Sequence, residues 1–172
     1  MVIRPPRQEE LHILSHHMAA VDGLSHAAYI EKQARDGGIY LVAWDGDTPV
    51  GRLFVRWQNI EIPRIVDERP QAAQFADAPA ICDVYVVPER RSEGVGAQLI
   101  QRAVEYARQQ GVSQVTICVD TDNPRARALY ERLGFTESGI GVFTTSGTFV
   151  DEDGLERHWQ NGPQVLLAQG LE

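Results

Sequence analysis

Between Gln8 and Met18 the apolar residues Leu11, Ile13 and Leu14 fall at roughly helical spacing. A second helix is predicted from Ala27 to about Arg35, capped by Ser25 and ended by Gly37 and Gly38. Ahead of both, "VIR" before Pro5 and Pro6 reads as a short strand. "IYLVAW" and "TPVGRLFVRW" then alternate as strands, with "DGD" between them as a hairpin turn. The segment 58–79 keeps no period and carries Pro63, Pro70 and Pro79; a connection of that length inside a domain points to function or disorder.

From residue 80 the pattern sharpens. "AICDVYVV" is a strand of β-branched and aromatic residues. Val95, Leu99, Ala103, Val104 and Ala107 then line one face of a helix over 94–110, ended by Gly111. "QVTICVD" is a further buried strand, and "NPRARALYERLGF" a short helix with Pro124 in its first turn and Gly134 at its close. The tail reads as turns at "DEDG" and "QNGP" followed by a last strand, "QVLLAQGL". Strand, helix, strand, helix over 80–135 predicts a parallel crossover, which the earlier hairpin and the last strand turn into a mixed sheet. The expected class is α/β: a mixed central sheet with helices on both faces, in a single domain spanning 1–172.

Composition narrows the picture. At 172 residues, 43% hydrophobic and 23% charged, the chain suits one globular domain. A net charge of −8 argues against a nucleic-acid partner, which needs a basic face. Cys82 and Cys118 each lie in an apolar run, without the spacing of a metal site or a disulfide framework. The opening "MVIRPPRQEE" lacks the apolar segment of a secretory signal, and no run is long enough to span a membrane. The expectation is a cytoplasmic protein with no membrane partner and no metal.

Candidate chemistry concentrates at "RRSEGVGA", residues 90–97, where a buried strand gives way to a helix. Helix N-termini carry unpaired N–H groups and partial positive charge, so they attract phosphate. Gly94 and Gly96 leave room for a ligand's oxygens beside the backbone, and Arg91 adds a cation. A nucleotide-triphosphatase loop would need Gly-Lys-Ser/Thr, but Ala97 and Gln98 follow Gly96. A dinucleotide fingerprint would need a third glycine where Leu99 stands.

Val86, four residues, Arg91, two residues, Gly94, one residue and Gly96 resemble the acyl-coenzyme-A loop of the GNAT N-acetyltransferase family. Asn123, Ala126, Tyr130, Gly134 and Phe135 match a second motif of that family in the right order. The resemblance covers 80–135. It implies the acyl-CoA N-acyltransferase (GNAT) fold, with acetyl-CoA as acetyl donor, a small-molecule or peptide amine as acceptor, and direct attack without a covalent enzyme intermediate. By the same resemblance Val84, Tyr85 and Val86 flank the thioester and pantetheine. Arg91, Ser92, Glu93, Gly94, Val95, Gly96 and Ala97 form the pyrophosphate loop, and Asn123 and Ala126 border the cofactor's arm. Many relatives carry glycine where this chain has Ser92, and Glu93 is expected to point to solvent.

Tyr130 matches the family tyrosine that protonates the leaving thiolate, and the Val86 N–H is the expected oxyanion donor. Asp83, a carboxylate inside an apolar strand, is the first choice of base. Asp120 is the second, and Glu61 and Glu68 in the long connection stay open. The branch that acetylates ribosomal-protein N-termini places a glutamate base where this chain has Cys118. The resemblance puts the acceptor between 8–37, 58–79 and 140–163. Net charge favours a small cationic amine there, with a protein N-terminus or lysine competing. A non-catalytic coenzyme-A sensor is the alternative class. The last strand either pairs two copies as a homodimer or completes the monomer's own sheet.

Overall fold

The computed structural model describes residues 1–18, 25–150 and 153–172. Its strands are β1 (Val2–Arg4), β2 (Gly38–Asp45), β3 (Thr48–Arg56), β4 (Ala80–Val86), β5 (Gln114–Asp120), β6 (Thr136–Glu137), β7 (Phe143–Val150) and β8 (Glu156–Gly170). They form one sheet in the order β1-β2-β3-β4-β5-β8-β6, with β7 also on β8. Every neighbouring pair is antiparallel except β4 and β5.

Alternation along β2 and β3 sorts their side chains to two faces. Leu41, Ala43, Leu53 and Val55 pack under α4 (Val95–Gln109), where Leu99, Ile100, Ala103 and Ala107 complete the main core. Tyr40, Val42, Trp44 and Phe54 face the opposite way, onto Leu14 of α1 (Leu11–His17) and Tyr29 of α2 (His26–Ala34). The helices therefore cover both faces, as the sequence implied. Ser25 caps α2 by accepting from the Ala28 N–H at 3.3 Å.

The connection 58–79 is more ordered than its lack of period suggested. It holds α3 (Ile62–Ile65) and a 3-10 turn over Pro70–Phe75. Ile62, Ile65, Ala72 and Phe75 pack with Ile140, Phe143 and Leu166 into a third apolar cluster. Arg69 clamps the other side, donating to the Ile140 and Val142 carbonyls at 3.0 and 2.7 Å.

The tail departs most from expectation. "QNGP" is no turn: it lies inside β8, which runs unbroken from Glu156 to Gly170 and pairs first with β7 and then with β5. Pro163 is tolerated because the β7–β8 register shifts there, setting Gly162 and Pro163 opposite Thr144 alone. "QVLLAQGL" completes the monomer's own sheet, Gln164 to Gly170 pairing with Asp120 to Gln114.

A buried carboxylate anchors β1 to the first helical turn. Glu10 accepts from Arg4 Nη1 and Nη2 at 2.9 and 2.7 Å and from the Arg7 backbone N–H at 2.7 Å. The hydrogen bond to Arg4 leads in lowering its pKa to about 2, against the opposing effect of burial. A lowered carboxylate pKa stabilises the fold above the unfolded value of 4.5 and loses that contribution as pH falls toward 2. Glu10→Gln should cost roughly 1–2 kcal/mol at pH 7, with the gap to the parent closing between about pH 5 and pH 2 in urea titrations. A gap that stayed constant with pH would refute this account.

Candidate active site

Strands β4 and β5 begin together and then separate. Only Ala80 and Ile81 are in register with β5, against Thr116 and Ile117. Beyond them, Cys82 through Val86 are all half-exposed, although β4 lies in the middle of the sheet. The cause is a bulge against β3: Phe54 opposes Cys82 and Arg52 opposes Tyr85, so Asp83 and Val84 together face Leu53. Asp83 takes a left-handed φ of 55° there. The kink lets Val84 join the α4-side core while Tyr85 packs toward α2.

The free edge of β4 therefore lines a cleft. Val87 N–H donates to Val50 O on β3 at 3.0 Å, so the preceding Val86 N–H, by alternation, points to the cleft. Val86 O, on that same edge, accepts from Arg91 Nε at 3.0 Å, and the Arg91 guanidinium lies over the Tyr85 ring at 5.9 Å.

At the end of the cleft the loop turns into α4. Ser92 (φ 71°) and Gly94 (φ 84°) are both left-handed, which folds the backbone into a concave nest. The left-handed conformation at 92 is the physical reason a glycine suits that place. Gln98 N–H is bonded to Gly94 O at 3.0 Å, leaving the N–H groups of Val95, Gly96 and Ala97 as the unpaired first turn of the helix. Val95 buries its side chain and offers only backbone; Gly96 is flanked by Val86 and Leu129, whose methyl carbons would lie 3.7 Å from an added Cβ. Glu93 points away, as expected, pairing with Arg90 at 2.6 Å while Arg90 also holds Asp45 at 2.7 Å.

Across the cleft, α5 (Pro124–Arg132) follows β5. Asn123 caps it, Oδ1 accepting from Ala126 N–H at 3.1 Å. Arg125, which sequence reasoning passed over, donates from Nη2 to Ser92 Oγ at 2.7 Å and so brings a second cation to the nest. Tyr130 is buried, and its hydroxyl has no hydrogen-bond partner among the described residues. Burial chiefly, with Asp120 and Cys118 adding, raises its pKa to about 12, so the phenol keeps its proton at neutral pH.

On the α2 side, Asp83 accepts from Tyr29 OH at 2.7 Å. Tyr29 stacks on Tyr40 at 4.9 Å, and the wholly buried Arg52 sits 5.9 Å from the Tyr29 ring and 5.3 Å from that of Tyr85. None of Tyr29, Tyr40 or Arg52 carries a local signal of function; their role follows from which strand face they share. Of the remaining carboxylates, Asp120 is exposed at the end of β5 beside Tyr130. The Glu61 carboxylate lies near Cys82 and Cys118, with Oε2 buried and unbonded. Glu68 stands apart, in an open groove of about 310 Å³ between α3 and β7. A second open groove, of about 300 Å³, lies between β1 and α4.

Although each is half-exposed as a residue, burial of the sulfur pushes the Cys82 thiol up to about 12 and Cys118 higher still, which favours the protonated thiol in both.

A central parallel pair opened at its carboxyl end, with a nest of unpaired N–H groups beyond it, defines an acyltransferase fold. The chain belongs to the Acetyltransferase (GNAT) family, whose pattern matches residues 9–135. It is 33% identical over 106 residues to a mycothiol acetyltransferase of Geodermatophilus obscurus, a match covering 60% of this chain and 30% of that protein. It is 31% identical over 121 residues to an L-methionine sulfoximine/L-methionine sulfone acetyltransferase of Pseudomonas aeruginosa, covering 69% of this chain and 63% of that one. The chain thus spans under a third of the first relative's length and under two thirds of the second's. Among solved structures, an N-acetyltransferase from Staphylococcus aureus superposes with a TM-score of 0.68 over 99% of this chain and 98% of its own, at 16% identity. No helix among the described residues is long and apolar enough to cross a membrane.

Proposed function

We propose that this protein transfers the acetyl group of acetyl-coenzyme A to the primary amine of a small molecule by direct attack. The observation that carries the reading is the half-exposed run Cys82–Val86 in the middle of a sheet, leading straight into the N–H nest at Ser92–Ala97. Val84, Tyr85 and Val86 would pair with the pantetheine arm, and the pyrophosphate would meet the N–H groups of Gly94 to Ala97, with Ser92, Arg91 and Arg125 around it. Asn123 keeps its Nδ2 for the arm, since only Oδ1 serves the cap. Ala126 lines the same wall.

Asp83 takes the proton of the incoming ammonium, directly or through water, and Tyr29 OH holds the carboxylate in place. The amine lone pair then forms a C–N bond with the thioester carbonyl, and the Val86 N–H meets the charge that develops on oxygen. As the C–S bond breaks, Tyr130 gives its proton to the departing sulfur. Its raised pKa keeps that proton available until it is needed. Burial raises both cysteine thiols above their ordinary pKa, which supports direct attack over an acyl-enzyme route.

The test is release of free thiol from acetyl-coenzyme A in the presence of pooled amines, read beside a thermal-shift assay for donor binding. Acceptor-dependent thiol release is expected. A protein that binds no donor would sink the reading; one that binds donor yet transfers to no amine would instead support a sensor role.

A further inference from the structure

Three residues of α2 converge on a single residue of β2. His26, Tyr29 and Gln33 follow one another at helical spacing, so they share one face of α2. All three meet Tyr40. His26 Nδ1 is bonded to Tyr40 OH at 2.7 Å, and the Tyr29 ring stacks on the Tyr40 ring at 4.9 Å and 22°. Gln33 Oε1 accepts from the Tyr40 N–H at 2.9 Å. His26, Tyr29 and Tyr40 are all buried. Burial first, and the charge of Arg52 besides, lower the His26 pKa against the opposing bond to the Met18 carbonyl, which favours the neutral imidazole. His26 Nε2 lies 2.9 Å from Met18 O at the end of α1, and a carbonyl can only accept. Nε2 therefore carries the proton, Nδ1 accepts, and Tyr40 OH donates.

The consequence reaches the cleft two strands away. Tyr29, with an anchor on either side of it along α2, packs on Phe54 of β3 at 5.3 Å and donates its hydroxyl to Asp83 Oδ2 on β4 at 2.7 Å. Burial chiefly, with the charge of Asp83 adding, raises the Tyr29 pKa, so this hydroxyl stays a donor. Asp83 itself sits at the bulge with its left-handed φ of 55°. A strained backbone and a tied carboxylate are two separate restraints on one side chain that borders the cleft, and strain of that kind gathers at functional places.

We propose that Tyr40 is a positioning residue for the transfer: it registers α2 on the sheet through His26, Tyr29 and Gln33, so that Tyr29 OH fixes one oxygen of Asp83 and leaves Oδ1 to take the acceptor's proton. This deepens the transferase reading and rests on its choice of Asp83 as base. Tyr40 is wholly buried and touches no substrate; it acts only through Tyr29.

The experiment is a double-mutant cycle on kcat: Tyr40→Phe, Tyr29→Phe and the two together, beside Asp83→Asn. Tyr40→Phe keeps the ring and the N–H and takes only the hydroxyl from His26. Tyr29→Phe should lower kcat by about 10- to 100-fold and Tyr40→Phe by about 3- to 10-fold, the scale of a catalytic group left misplaced. KM for acetyl-coenzyme A, and its affinity by calorimetry, should stay near the parent's and report an intact fold. Since Tyr40 acts through Tyr29, the double variant should be no slower than Tyr29→Phe alone. Losses that multiply, or a Tyr40→Phe with the parent's kcat, would overturn the proposal and leave Asp83 as base. Asp83→Asn at the parent's kcat would instead remove the base, and the proposal with it. The crystal structure of Tyr40→Phe is a readout that needs no turnover. Tyr29 OH should lie beyond about 3.5 Å from Asp83 Oδ2 there, and a bond kept at 2.7 Å would overturn the proposal.

Discussion

Tyr130→Phe is expected to slow acetyl transfer by about 100-fold or more, the usual scale for a positioned general acid. Affinity for acetyl-coenzyme A and thermal stability should stay near the parent's. The reason is local: the Tyr130 ring is packed against Phe135 at 6.4 Å and in the α4-side core, while its hydroxyl has no partner among the described residues. Phenylalanine keeps the packing and removes only the proton donor. Because that proton is held with a pKa of about 12, the parent's rate should show no alkaline fall from Tyr130 across pH 7 to 10. The rising limb of the pH profile, set by loss of the amine's proton, should keep its midpoint in the variant. The measurement is kcat by thiol release across that range; an unchanged kcat in Tyr130→Phe would remove the tyrosine from the mechanism.

Gly38→Ala should be the most damaging single methyl addition in the sheet. Its new Cβ would lie 2.1 Å from the Val55 carbonyl oxygen and 2.5 Å from the Phe54 ring, so backbone as well as side chain must move. A loss of about 3 kcal/mol or more is expected, or roughly 6–12 °C in Tm for a chain of this size. Gly162→Ala, whose added Cβ meets nothing within 4 Å, is the control and should shift Tm by no more than a degree or two. Equal melting temperatures for the two alanine variants would show that β2 and β3 can separate there at little cost.

The turn from β4 into α4 was legible in outline because its parts are consecutive: a strand, two closely spaced glycines and an amphipathic helix all lie within 80–110; the left-handed φ at Ser92 came only from the structure. Tyr130 and its motif were legible for the same reason. The 140–163 segment was not. β7, "FTTSGTFV", is rich in Ser, Thr and Gly, and the long β8 passes through Asn161, Gly162 and Pro163. Local chemistry there favours turns, and only pairing along the length of β8 overrides it. Trp159 shows the effect: it sits over Gly147, where a Cβ would come within 2.8 Å of its ring, and stacks on the Arg64 guanidinium at 4.9 Å.

By itself the sequence determined the α/β class and the order of the elements from residue 80 to 135, because each is written in spacing along a few neighbouring turns or one strand. Only the tertiary structure decided where β4 leaves β5, since that depends on two residues of one strand, Asp83 and Val84, opposing a single residue of another, Leu53. It likewise decided that Tyr29, Arg52 and Asp83 meet, Tyr29 OH donating to Asp83 at 2.7 Å and Arg52 lying 5.9 Å from the Tyr29 ring. Those residues come from a helix, a strand and a bulge, and no local pattern relates them. Their charges acquire meaning only once burial has removed the water that would otherwise screen them.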